Sequence, residues 1–251
     1  MNNSLFYKYY DKIYSTKNYK EESSAVLNHY KNLKGNFPQS IIDVGCGTGS
    51  HDFYFAEAGC NVAGCDLDCS EIKIAQEKAR EKNINNINFF CKDVDLIEQN
   101  NFELAVSLFN VISYITDLNY LEKFFTAINK RVKENGIFIF DCWNGTAALL
   151  DPPQVKESTI EIQDEVIKIK SVPSINYMRQ TVDVKNSVEI ISGNETNNFE
   201  FNYRQRLWSP EILKEILNRN GFNVLSLNKA MNFSVEADYS TWKIMFVCQK
   251  K

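Results

Sequence analysis

The sequence predicts an α/β chain, a doubly wound sheet with an antiparallel β insertion after the fifth strand. Three observations predict it. An apolar run, Ile41-Ile42-Asp43-Val44, enters a glycine loop, Gly45-Cys46-Gly47-Thr48-Gly49. Strand-like and helix-like periods then alternate up to about residue 144. Between about Thr146 and Arg206 the rhythm changes to short alternating runs such as Thr159-Ile160-Glu161-Ile162, which read as antiparallel strands.

The elements follow in order. Residues 1–35 form an aromatic, helical N-terminal segment in which Lys20 to Leu33 is amphipathic, with Val26, Leu27, Tyr30 and Leu33 on one face. Ile41 to Val44 is apolar enough for a strand buried on both faces. A helix from about His51 to Ala58 stops at Gly59. A second strand spans Cys60 to Asp66, and Asp68-Cys69-Ser70-Glu71 has the spacing of a capping box ahead of a helix to Lys82. The third strand is Ile87 to Cys91 and the fourth Phe102 to Leu108. A helix from Leu118 to Val132 leads through Asn135-Gly136 to a fifth strand, Ile137 to Asp141. After the insertion, Ser209-Pro210 opens a helix that ends before Gly221. Phe222 to Leu227 and Trp242 to Cys248 complete seven strands in the main sheet.

With 251 residues the chain can fill one large domain, and the antiparallel segment 146–206 counts as an insertion within it. That insertion follows the fifth strand on the ligand side of the sheet, so it either roofs a substrate or mediates a homodimer. A formal net charge of −4 and a pI near 5.4 argue against nucleic acid or an anionic membrane surface as partners and favour a small molecule. The sequence holds no apolar run of membrane-spanning length and its N-terminus is polar and tyrosine-rich, so a cytoplasmic protein is expected. Seven cysteines, an odd number falling mostly in or beside predicted strands, read as reduced core thiols. Without a histidine near Cys65 and Cys69, no metal site is expected.

The strand ends carry the chemistry. Glycines allow a tight turn and close ligand approach, and the following helix directs free N–H groups at an anion. Asp43 narrows the ligand, because a carboxylate two residues before the first glycine suits a positive charge better than a pyrophosphate. S-adenosylmethionine carries an α-ammonium as well as a carboxylate. Asp66 ends the second strand 21 residues after Gly45, where an acid can accept from both ribose hydroxyls. Asp93 ends the third strand, placed to accept from an adenine amino group with Val94 as an apolar wall. Each carboxylate taken singly could instead cap a helix.

These parts in this order resemble the class I S-adenosylmethionine-dependent methyltransferases over residues 41–144. A narrower resemblance is to N-methyltransferases of nucleotide-linked amino sugars. It rests on Tyr10-Asp11-Lys12-Ile13-Tyr14, on His51 after the glycine loop, on the run Ser107 to Ile115, and on the antiparallel insertion. The resemblance implies a Rossmann-like seven-stranded fold and S-adenosylmethionine as cofactor. It assigns Gly45, Cys46, Gly47 and Gly49 to the methionine moiety, Asp66 to the ribose, and Asp93, Val94, Leu67 and Ile72 to the adenine. Leu108 and Phe109 then pass beneath the reactive methyl, where many N-methyltransferases have a more polar sequence.

Methyl transfer from a sulfonium needs alignment and the management of one proton. His51 is a candidate base, or else a first-turn helix residue. Tyr10, Tyr14 and Tyr19 offer hydroxyls and ring faces to the cofactor, or else pack an N-terminal helix. Tyr114, Trp143 and Asn144 follow strands four and five where an acceptor should lie, Tyr14 and Tyr114 being the catalytic candidates beside His51. Arg179, Arg204 and Arg206 are candidates for a substrate phosphate. N-methylation of an amino sugar or similar amine is the favoured reading. O-methylation of a sugar or other metabolite, and a cofactor-binding regulatory module, are the alternatives.

Overall fold

The computed structural model describes residues 3–251. Two helices come first, α1 (Asn3–Ile13) and α2 (Tyr19–Lys34). The Asn18 side chain caps α2 by accepting from the Glu21 N–H, and Gly35 closes it in the left-handed conformation. The βα repeat then runs β1 (Ser40–Val44), α3 (Asp52–Glu57), β2 (Asn61–Asp66), α4 (Cys69–Glu81) and β3 (Ile87–Cys91). Asp68 caps α4 by accepting from the N–H groups of Ser70 and Glu71. It continues through β4 (Phe102–Ser107), α5 (Val111–Tyr114), α6 (Leu118–Arg131) and β5 (Val132–Trp143). A short helix α7 (Gly145–Leu150) precedes the insertion, β6 (Lys156–Ile162), β7 (Glu165–Asn176), β8 (Thr181–Ser192) and β9 (Glu195–Arg206). The chain returns through α8 (Pro210–Arg219), β10 (Phe222–Lys229), β11 (Asn232–Glu236) and β12 (Lys243–Lys250). Pro210 opens α8, although Ser209 makes no side-chain cap hydrogen bond.

The main sheet has the order β11-β10-β12-β5-β4-β1-β2-β3. Strands β1 to β5 pair in parallel, and β12 enters antiparallel between β5 and β10. Seven strands were expected and eight are present. The extra one, β11, is a mostly exposed edge strand paired with β10 across a turn at Met231, and it lacks the apolar run that marks a buried strand. Strand order reverses between β1 and β4, so a crevice opens at the carboxyl ends of these two strands.

Both faces of the sheet are covered. Ile42, Phe138, Phe140 and Phe246 face α6 and α8, whereas Ile41, Leu104, Ile137, Ile139 and Val247 share the other core with α2, α3 and α4. The insertion is a separate antiparallel sheet, β6-β7-β8-β9. Its apolar face receives α1, with Tyr9 and Ile13 packed against Ile167, Val188, Ile190 and Phe199. No helix among the described residues is long and apolar enough to cross a membrane.

One cysteine expectation fails. Cys69 and Cys91 are joined by a disulfide, because the end of β3 lies beside the start of α4, with the two Cα atoms 5.1 Å apart. The other five cysteines are free thiols.

Phe125 of α6 is fully buried beneath the rings of Phe138 and Phe140, with centroids 6.0 and 5.7 Å away. Phe125→Ala should lower unfolding stability by about 3–5 kcal/mol in urea titration. A loss below about 1 kcal/mol would show that this packing is not where the domain's stability lies.

Candidate active site

The glycine loop hangs from the end of β2. The N–H groups of Gly45 and Cys46 donate to the Cys65 carbonyl at 2.8 and 3.2 Å, and the Gly47 N–H donates to Asp66 Oδ2 at 2.9 Å. The other oxygen, Oδ1, accepts from the Asp68 N–H at 2.9 Å. Burial raises the Asp66 carboxyl, and these backbone donors oppose the rise. Gly45 has φ +82°, and a Cβ there would lie 2.6 Å from a Val111 methyl, so only glycine fits. At β1, Asp43 is buried and its Oδ1 has no hydrogen-bond partner among the described residues. Asp93 is engaged on one side, where Oδ2 accepts from the Tyr120 hydroxyl at 2.6 Å.

Helix α1 closes the crevice. Tyr7 Oη donates to Asp68 Oδ2 at 2.8 Å, while Asp11 accepts from Thr48 Oγ1 and from Lys78 Nζ, both at 2.7 Å. On its other side Tyr9 Oη reaches Glu165 at the start of β7 at 3.0 Å, and Lys12 pairs with the same carboxylate. The helix therefore bridges the glycine loop, α4 and the insertion. Tyr10 and Tyr14 stand 4.9 Å apart on its inner side, with Tyr14 edge-on to Phe109 at 5.1 Å.

The cavity measures about 1140 Å³. That exceeds the space one small ligand usually fills, so a nucleoside cofactor and a modest acceptor fit together. Tyr10, Tyr14, Tyr19, Asp43, Gly45, Cys46, Gly47, Asp66, Leu67, Asp93, Val94, Leu108 and Phe109 all line it. Two expected cofactor residues do not. Gly49 sits behind the loop against Phe89, and Ile72 falls on the inner stripe of α4 with Ala75 and Ala79, at the i, i+3, i+7 positions that face the core.

On the acceptor side, Tyr114 and Tyr203 lie 5.6 Å apart and line the cavity with Trp143 and Gln205. Asn144 does not reach it. Its amide instead caps α7 and donates to the carbonyls of Asp238 and Thr241. The three candidate arginines are also absent from the lining. Arg204 and Arg206 alternate with Tyr203 and Gln205 on β9, so period-two geometry turns them to the opposite face, where Arg204 pairs with Asp183 and Arg206 covers the Trp208 ring. Arg179 belongs to the turn between β7 and β8. Lys92, Lys156 and Lys243 are the cations that line the cavity among the described residues.

Sequence reasoning missed Tyr203, Gln205 and the site role of Glu71. The alternation Phe201-Asn202-Tyr203-Arg204-Gln205 was the available signal for the first two. Glu71 was visible only as a capping residue, yet its Oε2 lies 2.8 Å from where a Gly47 Cβ would stand. Burial, with Asp66 and Asp68 nearby, pushes its carboxyl up to about 8, so it is protonated at neutral pH.

His51 borders the cavity, but its Nε2 lies 2.8 Å from Glu22 Oε2, and its ring packs edge-on to Tyr19. Burial lowers its pKa and Glu22 opposes that, leaving a neutral ring. An ionised Glu22 accepts only, so Nε2 carries the proton and Nδ1 alone keeps a lone pair. Burial presses Glu22 upward, but His51 and Lys17 together hold it below its ordinary value. Among the described residues no group of three or more His, Cys, Asp and Glu side chains is arranged to hold a metal.

Residues 41–136 match the family described as a methyltransferase domain. These residues form a methyltransferase domain. The chain is similar to a Geobacillus sp. (strain WCH70) protein provisionally named a methyltransferase, at 25% identity over 98% of each chain. Among solved structures, an S-adenosylmethionine-dependent methyltransferase from Clostridium acetobutylicum ATCC 824 superposes with a TM-score of 0.84 at 19% identity, covering 99% of this chain and 98% of that one. The sugar N-methyltransferase KedS8 from Streptoalloteichus sp ATCC 53650 superposes with a TM-score of 0.78 at 18% identity, covering 95% and 92%. S-adenosylmethionine is the methyl donor named for that Clostridium enzyme, and the cradle of this chain suits it. The site offers a buried carboxyl without a donor at Asp43 among the described residues, a glycine that admits no side chain at Gly45, and acids at the ends of β2 and β3.

Because Asp66 both shapes the loop and faces the cavity, Asp66→Ala should weaken S-adenosylhomocysteine binding by about 1.5–3 kcal/mol in calorimetry while the variant stays folded. Unchanged affinity in a folded variant would place the ribose elsewhere.

Proposed function

We propose that this methyltransferase N-methylates a small amine, an amino sugar carried on a nucleotide. The observation that carries the reading is the aromatic wall of the acceptor end, Tyr14, Tyr114 and Tyr203, whose phenols take no proton in their neutral form. Burial raises the phenols of Tyr14, Tyr114 and Tyr203, so all three stay neutral. Glu71 is protonated, and the His51 ring is held by Glu22 and packed on Tyr19 rather than on the tyrosines of the acceptor wall. A hydroxyl must lose its proton during attack, whereas an amine reaches the site already deprotonated from its bulk equilibrium. When bound, S-adenosylmethionine supplies an activated methyl carbon for in-line displacement. The chain's own part is alignment: Tyr14 and Phe109 lie on one side of the reacting centre, and Tyr114 and Tyr203 wall the acceptor. The rings also suit a cationic methylated product.

The nucleotide part of the reading draws on Lys156 and Lys243 at the cavity lining, and on Trp143 and Trp242 in the same lining, whose rings lie 5.5 Å apart. Lysines supply point charges for a diphosphate, and indole faces suit a base. The likeness to KedS8, named as a sugar N-methyltransferase, supports the same acceptor class.

Mass spectrometry of products from a panel of nucleotide-linked amino sugars and their hydroxyl counterparts, with EDTA present, tests this. Methyl addition to the amines alone is expected. Methylation of the hydroxyl series alone would give the O-methyltransferase reading, and donor binding without turnover of either series would favour a regulatory module.

A further inference from the structure

Asp52, the first residue of α3, is fully buried, and neither carboxyl oxygen has a hydrogen-bond donor among the described residues. Its neighbour is Asp43, whose carboxyl lies within hydrogen-bonding reach across from the end of β1. Asp43 Oδ1 likewise has no donor, and of the two residues only Asp43 lines the cavity. Three orphaned carboxyl oxygens behind the glycine loop are costly in an empty site, because each has left water without a replacement partner.

The surroundings do not relieve the pair. Asp66 on β2 and Asp141 on β5 add negative charge towards Asp43, with Asp141 accepting from the Asn110 N–H at 3.2 Å. The nearest thiols, Cys46 on the loop and Cys65 on β2, are held neutral by burial. Lys78 of α4 acts on Asp52 but is paired with Asp11. On the α2 side, His51 is neutral and bonded to Glu22, which is also paired with Lys17.

We infer that Asp43 and Asp52 act as one proton-sharing acceptor for the cofactor's α-ammonium group, and that the shared proton leaves when the ammonium arrives. Asp43 touches the ligand and Asp52 is a positioning residue behind it. The inference rests on the S-adenosylmethionine reading of the cavity. Two carboxylates in contact within a low-dielectric interior cannot both ionise, so the empty pair holds one proton. Burial pushes the pair upward, Asp52 to about 7. An arriving ammonium stabilises the doubly ionised pair, so the balance is a ligand cation plus a singly protonated pair giving a complex with two carboxylates plus one free proton. The sign follows directly. Affinity rises with pH while the empty pair is still protonated, by up to about tenfold per pH unit, and levels off above its pKa.

The test is calorimetry at about pH 6 in buffers of different ionisation enthalpy, with S-adenosylhomocysteine and with 5′-methylthioadenosine, which keeps the nucleoside but lacks the amino acid. Release of roughly one proton with S-adenosylhomocysteine and none with 5′-methylthioadenosine is expected of the unaltered protein. In Asp52→Asn the amide donates to Asp43, so release should vanish and the Kd should stay flat from about pH 6 to 8. Equal release with both ligands, no release from the unaltered protein, or full release from folded Asp52→Asn would each overturn the inference. The comparison of the two ligands needs no variant. Binding of S-adenosylhomocysteine without proton release sinks this inference alone, whereas no binding sinks the cofactor reading with it.

Discussion

The Asp66 carboxylate, accepting from the Gly47 N–H on one oxygen and the Asp68 N–H on the other, is the contact on which the site depends. It joins three things that the chain builds separately: the glycine loop after β1, the end of β2, and the capped start of α4. With Gly45 and Cys46 also bonded to the Cys65 carbonyl, the loop is fixed over the point where strand order reverses. Its remaining N–H groups and Asp43 are then presented to the crevice without further folding. A buried carboxylate that accepts backbone N–H groups keeps its charge at modest cost, so one residue can shape the loop and still face a ribose.

What lies above this cradle decides the chemistry. Helix α1 belongs to neither half of the fold alone, since its apolar side packs on the insertion and its polar side bonds to α4 and the loop. The insertion contributes Tyr203 and Gln205 from β9 to the cavity wall. The resulting chamber is acidic where the cofactor's ammonium and ribose would lie and aromatic where the acceptor would lie. That division suits a reaction whose electrophile is already activated and whose nucleophile brings its own lone pair.

Much of this was legible because it is local. Asp43, the glycines, Asp66 and Asp93 each sit at the end of an apolar run, and an apolar run bounded by glycine or a cap is readable within a few residues. The capping pattern at Asp68 was visible for the same reason. What escaped depends on tertiary placement. Strand β11 has no core face to mark it, and the Cys69–Cys91 bond follows from how α4 starts beside β3. The resemblance assigns Ile72 to the adenine, but its helical phase sends it to the core. Arg204 and Arg206 carry the charge that a phosphate would need, but strand alternation gives the cavity to Tyr203 and Gln205 instead. Nothing in the sequence marks Asp52, and only the fold shows that it is buried against Asp43.

The central claim is that the cradle is built for a nucleoside bearing an ammonium group, with Asp43 where a pyrophosphate would be repelled. Isothermal titration of the purified protein with S-adenosylhomocysteine and with NAD tests it most directly. Saturable binding of S-adenosylhomocysteine with no measurable heat from NAD is the result expected. Tight NAD binding, with S-adenosylhomocysteine neither binding nor competing, would contradict the account.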